Sequence, residues 1–280
     1  VSLARLEAFA DRPSLPKLTG IAVIRNLTAK GIRSDVSTYE INVDAESTNV
    51  TLAGHPAGVV KLFGETANKH LNVTFTMTGL LGPKSQVATA SVDLSNEKLP
   101  AKVDATITDA DMTQVFNVLV PDSDGAITGS ATGTLALSGN LMSENDQGEE
   151  MLSLKGLTGT AAFTKFSAEV ENNTLSAAGP VMIDVGHNEM TVRPTQFTGP
   201  GTNVRLGGSI ATSHGGRQDF EVRGNVNLTI LSHLSHDLFS SGKAELQLQV
   251  AGTYEKALVK GTATVTSASV SVLMTMPLLT

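Results

Sequence analysis

The feature that most constrains this chain is a period-two alternation of apolar and polar residues, carried inside a longer repeat. Residues 102–140 (KVDATITDADMTQVFNVLVPDSDGAITGSATGTLALSGN) and residues 221–253 (EVRGNVNLTILSHLSHDLFSSGKAELQLQVAGT) resemble each other. In each copy an alternating strand leads into a short mixed stretch and then into a second alternating strand bounded by glycines. The first strand carries Val103, Ala105 and Ile107 in one copy and Val222, Gly224, Val226 and Leu228 in the other. The second spans residues 129–139, with Leu135 and Leu137 as its apolar set, or residues 242–252, with Leu246, Leu248 and Val250. A recurring all-β unit with no catalytic-looking insertion predicts a modular, elongated protein that works through a repeated surface. It argues against a single pocket.

The same alternation runs along the rest of the chain. Its clearest instance sets Leu71, Val73, Phe75 and Met77 against Asn72, Thr74, Thr76 and Thr78, one face aliphatic and the other Thr/Asn. Similar runs occupy residues 41–45, 50–52, 88–94, 152–154, 157–163, 181–185, 190–192, 204–206 and 258–265. They predict on the order of twenty strands at a spacing of roughly 8 to 12 residues. Turn chemistry separates them at Asn96-Glu97, Asp124-Gly125, Asn172-Asn173, Gly199-Pro200-Gly201 and His214-Gly215-Gly216. The polar run SENDQGEE at residues 143–150 predicts a flexible loop dividing a first repeat unit, 1–142, from a second, 151–280. Helix is expected only near the N-terminus, where Leu3, Leu6 and Phe9 fall at helical spacing, and over residues 111–119 and 228–238. The chain begins without Met and ends in the strand-like run 267–279, and so reads as a segment of a longer protein, its anchors and targeting signals lying elsewhere.

Composition narrows the function. Aromatic residues make up 4% of the chain and Trp is absent, while Val, Thr, Ala, Leu and Gly dominate, a balance that favours strands. A formal net charge of −7 provides no basic stripe for nucleic acid or an anionic membrane surface. With no Cys there is no disulfide, thiolate metal site or thiol nucleophile.

Other chemistry is thin. His233 and His236 lie three apart beside Asp237 but have no third ligand at a recognisable spacing. Asp122-Ser123-Asp124-Gly125 opens like a calcium loop without the distal Glu, and reads better as a hairpin turn. Gly125, Gly129 and Gly133 sit among Thr and Ser in strand context, so they neither cradle phosphate nor pair helices. Ser209 and Ser213 have no elbow motif and no His/Asp set to activate them. No enzymatic activity, cofactor or metal is expected.

Three architectures would manage the edges of so many strands: a sandwich, a closed barrel, or a long sheet folded into a trough. The repeat favours the trough. Over residues 172–210 the pattern becomes more specific: an Asn turn, Leu175, then Gly179-Pro180-Val181-x-Ile183-x-Val185, a polar turn at 186–188, Met190-x-Val192, and Val204-x-Leu206-x-Gly208-x-Ile210. The strand from Gly242 to Gly252, followed by Thr253 and then Val259-x-Gly261-x-Ala263-x-Val265, has the same cadence. This succession resembles the repeating unit of the TamB family, within the AsmA-like bacterial envelope proteins, over about residues 40–272. The resemblance implies an open β-trough with an aliphatic groove, part of a periplasmic rod from an inner-membrane anchor toward the outer membrane. It also implies phospholipid acyl chains as cargo and a role in outer-membrane biogenesis. An outer-membrane barrel partner of the TamA type would be met by parts outside this chain.

A conduit for acyl chains needs an unbroken apolar lining with few polar fixing points, so that lipid slides rather than docks. The alternation assigns that lining to Val73, Phe75, Met77, Val103 and Ile107, to Leu135, Leu137, Val181, Ile183 and Val185, and to Val226, Leu228, Leu246, Leu248 and Val250, all expected on one shared surface. The competing expectation is a structural or adhesive stalk in which these same residues close on each other as a sealed core.

Overall fold

A computed structural model describes residues 18–32, 35–52, 55–113, 116, 127–144, 150–170, 173–186, 188–211, 216–228, 238–253 and 256–272. These residues form an all-β protein. In chain order the strands are β1 (Leu18–Ile32), β2 (Asp35–Leu52), β3 (His55–Ala67), β4 (His70–Gly79), β5 (Gly82–Asp93), β6 (Pro100–Asp111), β7 (Ile127–Asn140), β8 (Met142–Glu144), β9 (Glu150–Leu152), β10 (Leu157–Val170), β11 (Asn173–Ala177), β12 (Val181–Gly186), β13 (Glu189–Gly199), β14 (Thr202–Ala211), β15 (Arg217–Asn227), β16 (Leu238–Thr253) and β17 (Lys256–Val272). Fifteen of them make one sheet in nearly sequential order, from β1 to β7 and then β10, β11, β13, β14, β15, β16 and β17, with β12 pairing β10 and β13. β8 and β9 form a separate two-stranded ribbon. Neighbour follows neighbour because short polar turns leave an alternating chain no cheaper partner than the strand just made.

Several strands are longer than the alternation suggests. β2 runs for 18 residues and absorbs both the 41–45 and the 50–52 runs. A register shift between Ser47 and Val50, with Asn49 at φ 55°, explains the apparent break. Such a bulge resets the alternation without ending the strand. β1 and β3 have no counterpart among the expected strands. β1 carries apolar residues on both sides and three register shifts against β2, and β3 places Phe63 on the same side as Lys61 and Glu65.

The polar run at 143–150 is ordered at both ends. Met142, Ser143 and Glu144 pair with Leu152, Met151 and Glu150, while residues 145–149 lie outside the described set. Backbone bonds from Leu141 N–H to Leu99 C=O (3.1 Å) and Met142 N–H to Lys98 C=O (3.1 Å) fasten this ribbon to the chain before β6, and one from Ser153 N–H to Leu141 C=O (2.7 Å) closes its base. Of the expected helices, Thr113 and Phe116 are helical, Asp111 ends β6, Leu228 has 3-10 conformation and Leu238 opens β16. The rest of those two stretches and the N-terminal segment lie outside the described residues.

The chain divides into two compact units. One is built from described residues within 18–111, 131–163 and 183–190, the other from those within 112–130, 164–182 and 191–272. In the first, the fully covered apolar residues are mostly small: Ala22, Ala101, Ala110, Ala131 and Ala161 accompany Val50, Leu94, Leu99 and Leu157. In the second, Ile127 packs against Phe116 and Leu175, and Phe166 meets Phe197 edge-on with ring centroids 6.1 Å apart.

Candidate functional site: a half-open aliphatic sheet face

In the first unit the strand register assigns the faces. Val73 lies opposite Gly64 on β3 and Ala90 on β5, Phe75 opposite Leu62 and Ala88, and Met77 opposite Val60 and Gln86. Ala90 in turn faces Val103, and Ala88 faces Ala105. Residues directly opposite in an antiparallel pair share a face. Val73, Phe75, Met77 and Val103 therefore stand together, with Ile107 four residues further along the same side of β6. On the other side, Lys102 lies opposite Ser91 and Asp104 opposite Thr89.

The same face continues onto β7. Asp109, at φ 41°, breaks the alternation of β6 after Ile107 and is exposed, and Thr132 Oγ1 accepts from its backbone N–H at 3.1 Å and donates to its carboxylate at 3.0 Å. On β7, Leu135 and Leu137 lie on the less exposed side of the strand, with Ala131 and Gly133, as Val103 and Ile107 do on β6. A Cβ added to Gly159 would come within 2.8 Å of Leu137 Cα, so β10 passes Leu137 at a glycine. Thr160 Oγ1 donates to Asp184 at 3.1 Å on the polar side, which turns Ile183 and Val185 to the aliphatic one.

In the second unit Val226 pairs with Ala244, Gly224 with Leu246, Val222 with Leu248 and Phe220 with Val250. The ladder continues to Val265, Ala263, Gly261 and Val259 on β17. Leu206 and Val204 extend it onto β14, opposite Val222 and Gly224. Val226, Leu246, Leu248 and Val250 thus share one face with Phe220, Val222 and Leu206. Arg, Glu, Asp and Gln occupy the other face.

Most of these residues are half-buried: Val73, Met77, Val103, Ile107, Leu135, Leu137, Ile183, Val185, Val226, Leu246, Leu248 and Val250. Phe75 is 37% exposed. Two expected lining residues differ. Val181 is 4% exposed, and Leu228 is 5% exposed just past the end of β15 at Asn227, where the chain leaves the strand period.

Two buried polar side chains interrupt the first unit's aliphatic face in one cross-strand row: Ser47, opposite Val60, whose hydroxyl donates to the Ile21 carbonyl at 3.0 Å, and Gln86, opposite Met77. Gln86 is buried, and its amide is satisfied internally: Nε2 donates to the carbonyls of Lys84 and Thr108 at 3.2 Å each, and Oε1 accepts from Thr108 N–H at 2.8 Å. Both of its N–H donors are spent on backbone, so it has none left to donate to a ligand. Nothing in the sequence marked it, since a Gln at an apolar register position reads simply as the end of a run.

The opposite face of the first unit carries surface ion pairs. Arg25 pairs with Asp44 at 3.6 Å and also with Glu46, and Lys61 reaches Glu46 at 3.8 Å. Exposed pairs of this kind contribute little. Asp93 holds the turn after β5, accepting from the Ser95 hydroxyl at 2.6 Å and the Ser95 N–H at 2.8 Å, which lowers its carboxyl below the ordinary value; His70 adds to the effect.

Among the described residues no group of three or more His, Asp or Glu could hold a metal, and no helix is long and apolar enough to cross a membrane. Asp122, Asp124, His233, His236 and Asp237 lie outside the described set. Comparison of the chain with family models, with curated proteins and with solved structures gives no match. The class is therefore defined by architecture alone: a many-stranded antiparallel sheet with a half-open aliphatic face.

Proposed function

We propose that this chain carries phospholipid acyl chains along the aliphatic face of its sheet, as a periplasmic segment of a longer protein that bridges two membranes. The observation that supports this most is the half-burial of large aliphatic side chains at the middle of consecutive strands, where a sealed core would cover them. Acyl chains laid against such a face gain about 25 cal/mol per Å² of apolar surface removed from water, and gain it without directional bonds. The buried polar groups described on the first unit's face, Ser47 and Gln86, are both bonded to backbone, so they give a sliding chain little to stick to. The TamB-like cadence of the sequence supplies the periplasmic setting, and a barrel partner of the TamA type would engage other parts of the protein.

Native mass spectrometry of the chain purified from bacteria tests this. Several co-purifying phospholipids of mixed headgroup per chain are expected. Their absence, or a single tightly selected ligand, would leave a structural stalk or a dedicated pocket in its place. The packing of partly buried Phe116 and Leu175 against buried Ile127 is the observation that favours the stalk.

A further inference from the structure

The polar face of the first unit carries an open depression of about 350 Å³ whose lining includes Asn72 and Thr74 on β4, Thr89 and Ser91 on β5, and Lys102 and Asp104 on β6. Register sets these side chains in two rows across the strands. Thr74 lies opposite Thr89, which lies opposite Asp104. Two residues along, Asn72 lies opposite Ser91, which lies opposite Lys102. Both rows continue onto β3, where Phe63 lies opposite Thr74 and Glu65 opposite Asn72. Phe63 is 46% exposed, so an aromatic ring stands open at the end of the first row.

Elsewhere this face spends its polar groups on itself. Arg25 pairs with Asp44 and Glu46, Lys61 pairs with Glu46, Asn26 Nδ2 donates to Asn42 Oδ1 at 2.6 Å, and the Thr78 and Ser85 hydroxyls bond at 2.8 Å. Around the depression the groups stay free. The Ser91 hydroxyl donates to Asn72 Oδ1 at 3.0 Å, which leaves the Asn72 N–H donors uncommitted. Among the described residues the Thr74 and Thr89 hydroxyls, the Glu65 and Asp104 carboxylates and the Lys102 ammonium have no side-chain hydrogen bond or ion pair. Lys102 and Asp104 do not pair even though they stand two apart on one face of β6.

We infer that this face binds an extended oligosaccharide of neutral pyranoses, one sugar stacked on Phe63 and the next ones laid across β4, β5 and β6. A pyranose presents C–H groups on its faces and hydroxyls around its rim. The C–H groups carry partial positive charge and suit the negative face of an aromatic ring, while the hydroxyls need both donors and acceptors within reach. Phe63 supplies the ring. Thr74 and Thr89 supply hydroxyls that donate or accept, Asn72 supplies N–H donors, and Asp104 supplies a carboxylate that accepts. Adjacent strands lie about 4.8 Å apart, and an extended chain of equatorially linked pyranoses advances by about one such spacing per sugar, so successive strands meet successive sugars. Asp104 and Lys102 balance in charge, which suits a neutral ligand over an anionic one. The site lies on the face opposite the aliphatic one and does not depend on the lipid reading.

The test is titration with cellotetraose, whose chain is extended, and with maltotetraose, whose chain coils, followed by backbone amide shifts in nuclear magnetic resonance. The proteins are the unaltered chain, Phe63→Ala, Thr89→Val and the remote control Thr264→Val. Saturable shifts at Asn72, Thr74, Thr89 and Asp104 are expected with cellotetraose in the unaltered chain and, at the same Kd, in Thr264→Val. Loss of the ring in Phe63→Ala should raise Kd about tenfold. Loss of one hydroxyl in Thr89→Val should raise it about fivefold. Maltotetraose, which cannot follow the strand spacing, should bind the unaltered chain more weakly than cellotetraose. Phe63 and Thr89 are both exposed, and Val keeps a β-branched residue in β5, so the variants should fold, as circular dichroism will verify. Absence of saturable shifts, a Kd in Phe63→Ala equal to that of the unaltered chain, or equal affinity for the two tetraoses overturns the inference.

Discussion

Replacing Leu248 by Glu separates an open aliphatic face from a sealed core. Leu248 is half-buried, and its cross-strand neighbours are Val222 on one side and Gly261 on the other. Full burial of a Leu side chain stabilises by about 1.5–3 kcal/mol, so losing a half-buried one costs about 1–1.5 kcal/mol. The new carboxylate sits beside a glycine on a face that water reaches, and stays hydrated. Its additional cost is small. Ala244 provides the contrast: it is on the same face, 1% exposed, between Val226 and Val265. Glu there is both too large and cut off from water, which costs about 3–5 kcal/mol. Urea unfolding followed by far-ultraviolet circular dichroism measures both. Leu248→Glu should remain folded with a modestly lower midpoint while Ala244→Glu unfolds far earlier, and Leu248→Glu should also lose bound phospholipid. A loss in Leu248→Glu as large as in Ala244→Glu would show that Leu248 lies in a sealed core and would refute the reasoning.

Gln86→Ala removes the acceptor for Thr108 N–H and the donor to two carbonyls, and should destabilise the first unit by about 1–3 kcal/mol in urea unfolding; an unchanged midpoint would mean that water replaces the amide. Asp93 should titrate below the ordinary Asp range, because the Ser95 hydroxyl and N–H favour its charged form. A depressed folded pKa contributes stability above the unfolded value and loses it as pH falls through the folded one, so the Ser95 amide signal should shift only in that acid range. A carboxyl midpoint at or above the ordinary value, followed by nuclear magnetic resonance, would count against the turn.

Period two made the strands and their faces readable because one apolar face per strand leaves a direct trace in the sequence. Val73, Phe75, Met77 and Val103 on β4 and β6, and Leu246, Leu248 and Val250 on β16, follow from it by position alone. Features that break the period were hidden. The bulge before Val50 splits one strand into two apparent runs, and the three register shifts of β1 scatter its apolar residues to both sides. The ribbon at Met142–Glu144 and Glu150–Leu152 was hidden for another reason: its backbone bonds hold a composition that otherwise signals a loop. Burial depends on what covers a sheet face, and Val181 and Leu228 show that the alternation does not encode it.

The most direct measurement places a photoreactive benzoylphenylalanine at Leu248 and, in a second protein, at the neighbouring Gln247, which is exposed on the opposite face. Both are irradiated in bacteria and analysed by mass spectrometry. The open aliphatic face predicts phospholipid adducts through the acyl chains at position 248 and none at 247. Equal adducts at both positions, or none at 248, would contradict it.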